Sequence, residues 1–478
     1  MQHVHFIGIG GAGMSGLAEI LLARGVKVSG SDLVKSEKTD ELKSLGAKIY
    51  IGHREVNITD DIDLVVFTSA VKNSENPELL EAERRNIRTI RRADFLGELT
   101  KGIKTIAVAG THGKTTTSSM IAHILIEAGL DPLVSIGAKV KELYGKNSRA
   151  GSGHVAVVEA DEYDRSFLAL HPYIAVLTTL EAEHLDIYKD LADLQETFVT
   201  FANQSDHPKE QGYAVVNIDE PALCDILSRL NKKIISFGIN SSAAKYRATK
   251  IRSDGLTTLS TIHRGSDMVG ELELRIPGMH NIKNALAAIA TSEVLAIPFD
   301  LAKKALATFV GAERRCEIIG ETNGILIIDD YAHHPTEIRA TLGAIRNGYP
   351  ERRIIAAFEP HTFTRTRDFA EEFGKVFAEC ADVLLLLDVY PAREAPIAGI
   401  TSELILSAAV KTGMQIAKRV SSLEELPKEI VLLANAGDIV LTMGAGRVTK
   451  AAPKILKALK EKFLGDEVIK DVIARSPR

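Results

Sequence analysis

A chain of 478 residues is too long for one ordinary core, and its 45% hydrophobic and 25% charged content excludes disordered and fibrous classes. Lysine and arginine (58) nearly balance aspartate and glutamate (63), giving a net charge of -5 without a basic run that could follow a phosphate backbone, so nucleic acid is not an expected partner. No apolar run reaches the roughly 20 residues of a membrane span and the first residues lack an export pattern, so no membrane association and a cytoplasmic location are expected. Cys224, Cys316 and Cys380 are far apart and read as reduced thiols.

Apolar strand-like runs alternate with helical stretches almost throughout, the pattern of α/β domains built on parallel sheets. Three units are expected. The first, residues 1–102, opens with a strand at His5–Gly10, continues through a helix around Leu17–Arg24 and closes with a helix at Ala93–Thr100. Lys101 and Gly102 form the joint. The second, residues 103–311, carries strands at Thr105–Ala109, Val155–Glu159, Ile174–Thr178 and Ala214–Asn217. From Tyr246 to Ile276, polar and apolar residues alternate around Asp254-Gly255 and Arg264-Gly265, which predicts added antiparallel hairpins, and Asn281–Leu295 reads as a helix. The third, residues 312–478, has strands at Ile325–Asp329, Ile354–Phe358, Val383–Asp388 and Ile439–Thr442 and ends in a helix at Lys454–Phe463. The fold class is therefore three α/β domains: Rossmann-like at both ends, with a nucleotide-triphosphate-binding domain between them.

Gly110-Thr111-His112-Gly113-Lys114-Thr115-Thr116 lies where a strand gives way to a helix. Backbone N–H groups there can cradle phosphates, Lys114 can neutralise the β and γ phosphates, and the Thr115 hydroxyl can help hold magnesium. Its glycines are closer together than in the common nucleotide-binding loop. Gly8, Gly10 and Gly13 form G-x-G-x-x-G after the first strand, with Asp32 ending the next. That motif fits a nicotinamide cofactor or the diphosphate of a UDP-sugar; the triphosphate loop in the same chain argues for the sugar. Glu159, Asp161, Glu162 and Asp164 crowd a strand end where magnesium must be held against ATP, and Glu159 is the expected ligand. His184, in a loop after another strand, has no metal-binding spacing of its own.

Taken together, the chain resembles the Mur ligases over nearly its whole length. The likeness rests on His5-Phe6-Ile7-Gly8-Ile9-Gly10-Gly11-Ala12-Gly13-Met14-Ser15-Gly16, the phosphate loop, Val158-Glu159-Ala160-Asp161-Glu162 and Gly278-Met279-His280-Asn281-Ile282-Lys283-Asn284. It extends through Arg314-Arg315, Asp329-Asp330-Tyr331-Ala332-His333-His334-Pro335 and Asp388-Val389-Tyr390-Pro391-Ala392-Arg393-Glu394. The resemblance implies that the first domain binds UDP-N-acetylmuramate, with Gly8, Gly10, Gly11, Gly13, Met14, Ser15, Asp32 and Ser69 at the sugar nucleotide. It implies that the second binds ATP through Gly110 to Thr116, with Asn281 at the adenine. Thr115 and Glu159 would hold one Mg²⁺, and His184 would help hold a second. Arg315 and Asp330 would approach the nucleotide from the third domain, and His361 with Arg365 would form the end of the site that takes L-alanine.

By the same resemblance, ATP phosphorylates the lactyl carboxylate and the amine of L-alanine displaces the phosphate. Lys114 and Arg315 neutralise charge in the transfer, while Asp330, His333 and His361 are alternatives for orienting or deprotonating the amine. Attachment of a preformed tripeptide to the same sugar nucleotide is the alternative, and the segment Tyr390–Ile400 favours alanine. Two features depart from the family pattern: Gln195–Phe201 lacks the lysine that becomes carbamylated in some relatives, and Arg447 stands where an acid is expected.

Overall fold

In a computed structural model of the chain, residues 2–68, 71, 75–181, 187–207, 209–392 and 394–475 are described, with side chains through residue 463. Among these residues the strands form three sheets. The chain separates into two compact units, one of Met1–Ile251, Ser260–Leu274 and Asn281–Ala312, the other of Arg252–Leu259, Arg275–His280 and Glu313–Arg478.

The first sheet contains β1 (His3–Ile7), β2 (Lys27–Asp32), β3 (Lys48–Ile51), β4 (Leu64–Phe67) and β5 (Arg88–Arg91), all parallel and ordered β3-β2-β1-β4-β5. Strands β1 and β4 are buried along their whole lengths, as expected for a sheet covered on both faces. The order reverses at β1, and this opens a crevice at the carboxyl ends of the strands, where an open parallel sheet binds its ligand.

The second sheet contains β6 (Lys104–Ala109), β7 (Leu133–Val140), β8 (Lys146–Arg149), β9 (Val155–Glu159), β10 (Ile174–Leu177), β11 (Tyr213–Asn217), β12 (Lys233–Gly238), β13 (Tyr246–Asp254), β14 (Thr257–Arg264) and β15 (Asp267–Leu274). Their order is β15-β14-β13-β12-β11-β10-β6-β9-β7-β8, with the apolar β6 flanked by parallel β10 and β9. The expected hairpins are present, turning at Gly255 and Gly265, both with positive φ. The β7–β8 antiparallel pair at the other edge was not anticipated; β8, Lys146–Arg149, is polar throughout and carries no apolar alternation to betray it.

The third sheet contains β16 (Glu317–Thr322), β17 (Ile325–Asp330), β18 (Ile354–Phe358), β19 (Val383–Leu386), β20 (Ala417–Arg419) and β21 (Ile439–Met443). The order is β16-β17-β21-β18-β19-β20, parallel except for the edge strand β16. The β16–β17 turn is Asn323-Gly324, both at positive φ, the residue pair that a two-residue hairpin favours. The last helix, Ala452–Arg475, is longer than expected from sequence and passes through Gly465, whose low propensity of about 1 kcal/mol does not end it.

Candidate functional site

The phosphate loop follows β6 and leads into helix Lys114–Glu127. A side chain at Gly110 would put its Cβ 2.1 Å from Thr178 Oγ1, so only glycine lets the loop pass over the end of β10. Thr178 and Thr179 then strap it down. Thr178 Oγ1 donates to the His112 carbonyl at 2.6 Å, His112 N–H donates to Thr179 Oγ1 at 2.7 Å, and Thr111 Oγ1 accepts from Glu181 N–H at 2.9 Å. Gly113 caps the helix at φ 82°, and a Cβ there would lie 2.6 Å from Asn284 Oδ1. Asn284 in turn donates to Asn281 Oδ1 at 3.1 Å, and both are buried on helix Met279–Val294. Asn281 is thus brought beside the loop through its neighbour.

Lys114 Nζ donates to the Gly110 carbonyl at 2.7 Å and to both Glu162 oxygens at 2.8 Å. Burial works against the lysine charge, but the Glu162 and Asp161 carboxylates outweigh it and hold the pKa above the usual lysine value. Burial pushes the Glu162 carboxyl up to about 7 against the pull of Lys114. At the end of β9, Glu159 Oε1 accepts from Thr115 Oγ1 at 3.0 Å and Oε2 accepts from Gly137 N–H at 2.8 Å. Thr115 and Thr116 are both buried in the first turn of the helix. A threonine hydroxyl beside a carboxylate is a set of hard oxygen donors that fits Mg²⁺. His184 and Ser69 lie outside the described residues.

Beside β1, Ser31 accepts through its carbonyl from Gly8 N–H at 2.8 Å and Ile9 N–H at 3.0 Å. Gly10 N–H donates to Asp32 Oδ2 at 2.9 Å, and a Cβ on Gly10 would meet that same oxygen at 2.9 Å. Gly11 caps helix Ala12–Ala23, and Gly13 packs against the Arg92 side chain. Met14 lies in the core, and the buried Ser15 turns its hydroxyl onto the Ala12 carbonyl at 3.1 Å.

In the other unit, Asp330 ends β17 and is 5% exposed. Its Oδ2 accepts from Cys316 N–H and its Oδ1 from Ala332 N–H, each at 2.7 Å. Burial pushes its pKa up to about 6, opposed by Arg315 and by those two N–H groups. Arg314 and Cys316 both have positive φ, so the carboxylate clamps a strained turn that carries Arg315. The Arg315 guanidinium lies over the Tyr331 ring, 5.0 Å from its centre, with Glu337 4.0 Å away.

His333 Nδ1 lies 3.1 Å from the Tyr331 carbonyl and 3.2 Å from Glu337 Oε2. Two acceptors on that nitrogen require that it carry the hydrogen, which leaves Nε2 as the lone-pair nitrogen of the neutral ring. The His333 and His361 ring centres are 5.7 Å apart. Burial, then His333 and Arg365, push His361 down to about 4, so it is neutral at pH 7. Arg365 Nη1 is 3.5 Å from His361 Nδ1, and Tyr390 packs on its other side at 5.8 Å. This cluster brings together His333, His361 and Arg365. Glu337, Tyr331 and Tyr390 were missed; the first could have been found, because it stands four residues after His333 at the start of a helix. Arg447 lies over the Tyr390 ring at 5.3 Å, and its N–H, with that of Val448, donates to the buried Glu359 carboxylate.

Comparison with known proteins gives three adjoining matches: the Mur ligase family catalytic domain over residues 3–104, the Mur ligase middle domain over 108–292 and the Mur ligase glutamate ligase domain over 314–446. The chain is 46% identical over 462 residues to a UDP-N-acetylmuramate–L-alanine ligase of Geobacter sulfurreducens, covering 96% of this chain and 98% of that one. Among solved structures, it is similar to the UDP-N-acetylmuramate-alanine ligase of Thermotoga maritima, with a TM-score of 0.81 and 28% identity over 97% of this chain and 100% of that one. A murein peptide ligase from Psychrobacter arcticus matches at the same 28% identity but a lower TM-score of 0.68, covering 96% of this chain and 99% of that one.

Proposed function

The chain belongs to the Mur ligase family, and from that premise we propose that it joins L-alanine to UDP-N-acetylmuramate, giving UDP-N-acetylmuramoyl-L-alanine, ADP and phosphate. The observation that carries the chemistry is the meeting of Lys114 and Thr115, in the helix turn that follows the strapped loop, with Glu159 at the end of β9. Likeness to alanine ligases over 96% of the chain supports alanine over tripeptide as the amine. The same reading divides the chain at 1–102, 103–311 and 312–478 and puts the reaction in the cytoplasm; among the described residues, no helix is long and apolar enough to cross a membrane.

An amide does not form from a free carboxylate in water, because hydroxide is a poor leaving group. Transfer of the γ-phosphoryl group to the lactyl carboxylate replaces it with phosphate. Such transfer needs positioning and neutralisation of charge more than covalent help. Lys114 supplies a fixed positive charge at the phosphates. Thr115 and Glu159 would hold Mg²⁺, which offsets the charge of the triphosphate, and His184 would join a second ion. The amine must lose a proton to attack. Burial makes Asp330 more basic than an ordinary carboxylate, and each of its oxygens keeps lone-pair capacity beside its one backbone N–H, whereas the weakly basic His361 is a poor proton acceptor. Asp330 and His333 Nε2 are therefore the acceptors this reading favours. His361 and Arg365 orient the amino acid.

Oxygen-18 in the lactyl carboxylate tests the route. Turnover should deliver one labelled oxygen to the released phosphate, because the amine displaces the oxygen through which the acid was phosphorylated. Label in AMP, or unlabelled phosphate despite amide formation, overturns the acyl phosphate. Running the same assay with L-alanine and the tripeptide in competition decides the amine.

A further inference from the structure

A carboxylate that takes no part in these steps lies beneath the glycine loop. Glu78 stands in the first turn of helix Pro77–Arg84 and is fully buried. Its Oε2 accepts from Ser31 Oγ and its Oε1 from Asn57 Nδ2, both at 2.5 Å. Ser31 Oγ is also 2.8 Å from His53 Nδ1. A hydroxyl has one hydrogen, and this one points at Glu78, so His53 Nδ1 must be the donor in that contact. The carboxylate thereby sets the tautomer of His53, whose Nδ1 lies 3.3 Å from Glu78 Oε2. Burial raises the Glu78 pKa, but contacts from His5, Ser31 and Asn57 outweigh it and keep the group ionised.

Both arms of this cluster end in the backbone that edges the crevice. Ser31 holds Gly8 and Ile9 through its carbonyl. Asn57 Nδ2 also donates to the Gly52 carbonyl at 3.1 Å, and Gly52 N–H donates to the Asp32 carbonyl at 2.7 Å. One buried charge therefore joins the turn after β1 to the segment after β3. A buried ion contributes little net stability compared with an apolar side chain of the same size, so its effect is better sought in geometry.

We propose that Glu78 is a positioning residue for binding of the sugar nucleotide, holding the Gly8–Gly10 turn and the Gly52–Asn57 segment in one arrangement through Ser31, Asn57 and His53. The proposal rests on the assignment of UDP-N-acetylmuramate to the first sheet. Glutamine fits only by setting its NH₂ group against the Asn57 amide, which is a donor, or by turning it to Ser31 Oγ, which must then donate to His53 Nδ1 and so reverse the His53 tautomer.

Steady-state kinetics of the full chain test this. Glu78→Gln and Ser31→Ala should each raise KM for UDP-N-acetylmuramate about tenfold, with KM for ATP and kcat within about twofold of the parent. The double variant should go little beyond the worse single one, and Glu78→Asp should recover part of the loss. An unchanged sugar-nucleotide KM accompanied by a lower melting temperature would reduce Glu78 to a structural role. Asp32→Ala is the control: if it raises that KM while Glu78→Gln does not, the positioning role alone falls. If neither changes it, the assignment of the sugar nucleotide to this sheet falls. Should Glu78→Gln fail to fold, Ser31→Ala, which removes a single hydroxyl, decides the question.

Discussion

Two glycine turns in this molecule use one backbone device. Each follows a buried parallel strand, each has a glycine at φ 82° (Gly8 and Gly113), and each leads into a helix of twelve or more residues. Their side chains separate them. Around the first turn, the Asp32 carboxylate sits on Gly10 N–H with Glu78 buried behind and Arg92 against Gly13, and among the described residues no lysine hydrogen-bonds to the loop. The second turn contains Lys114, held by Glu162, next to the oxygen donors Thr115 and Glu159. A cradle of N–H groups is enough to bind a diphosphate, whereas moving a phosphoryl group needs a fixed cation and metal-holding oxygens. In the proposed reaction the first turn binds and the second transfers, and a few side chains on similar backbones make that difference.

Substitutions on the two turns should break the chemistry on one side and only binding on the other. The largest effect is expected from Lys114→Ala, which should lower kcat about a thousandfold or more in the folded protein and also lower the melting temperature, because Glu162 loses its buried partner. A near-normal kcat would make the second turn a binding turn like the first. Glu159→Gln should lose activity roughly tenfold to a hundredfold and regain part of it as magnesium is raised, because the amide is a weaker ligand for a hard cation. A defect that no magnesium concentration alters would remove Glu159 from the metal. Asp32→Ala should have the smallest effect, raising KM for UDP-N-acetylmuramate about tenfold while sparing KM for ATP and kcat. Equal damage to both nucleotides would mean that the two turns do not serve separate ligands.

Both glycine turns, the three sheets and the family were legible in the chain, because each rests on local pattern. Glycines at fixed offsets after an apolar strand, Gly-Lys-Thr-Thr before a helix and alternation around Asp254-Gly255 are short-range signals, and the backbone obeys them wherever they occur. His333, His361 and Arg365 were named one by one from motifs of the family, and their grouping came only with the fold. What only the tertiary structure decided is which partner each charge has. Glu162 was one of four closely spaced acids until folding set its carboxylate directly on Lys114 Nζ, with Asp161 acting from nearby. Asp330 was legible as a motif residue, but its burial and its hold on the Cys316 and Ala332 N–H groups came only with the fold. Glu78 gave no signal, since Ser31, Asn57 and His53 lie 21 to 47 positions away and meet it only when parallel strands align their carboxyl ends. Sequence determines locally which residues can turn, extend or bind phosphate; the pairing and burial of charges depend on which strands become neighbours, and that is settled only when the sheets assemble.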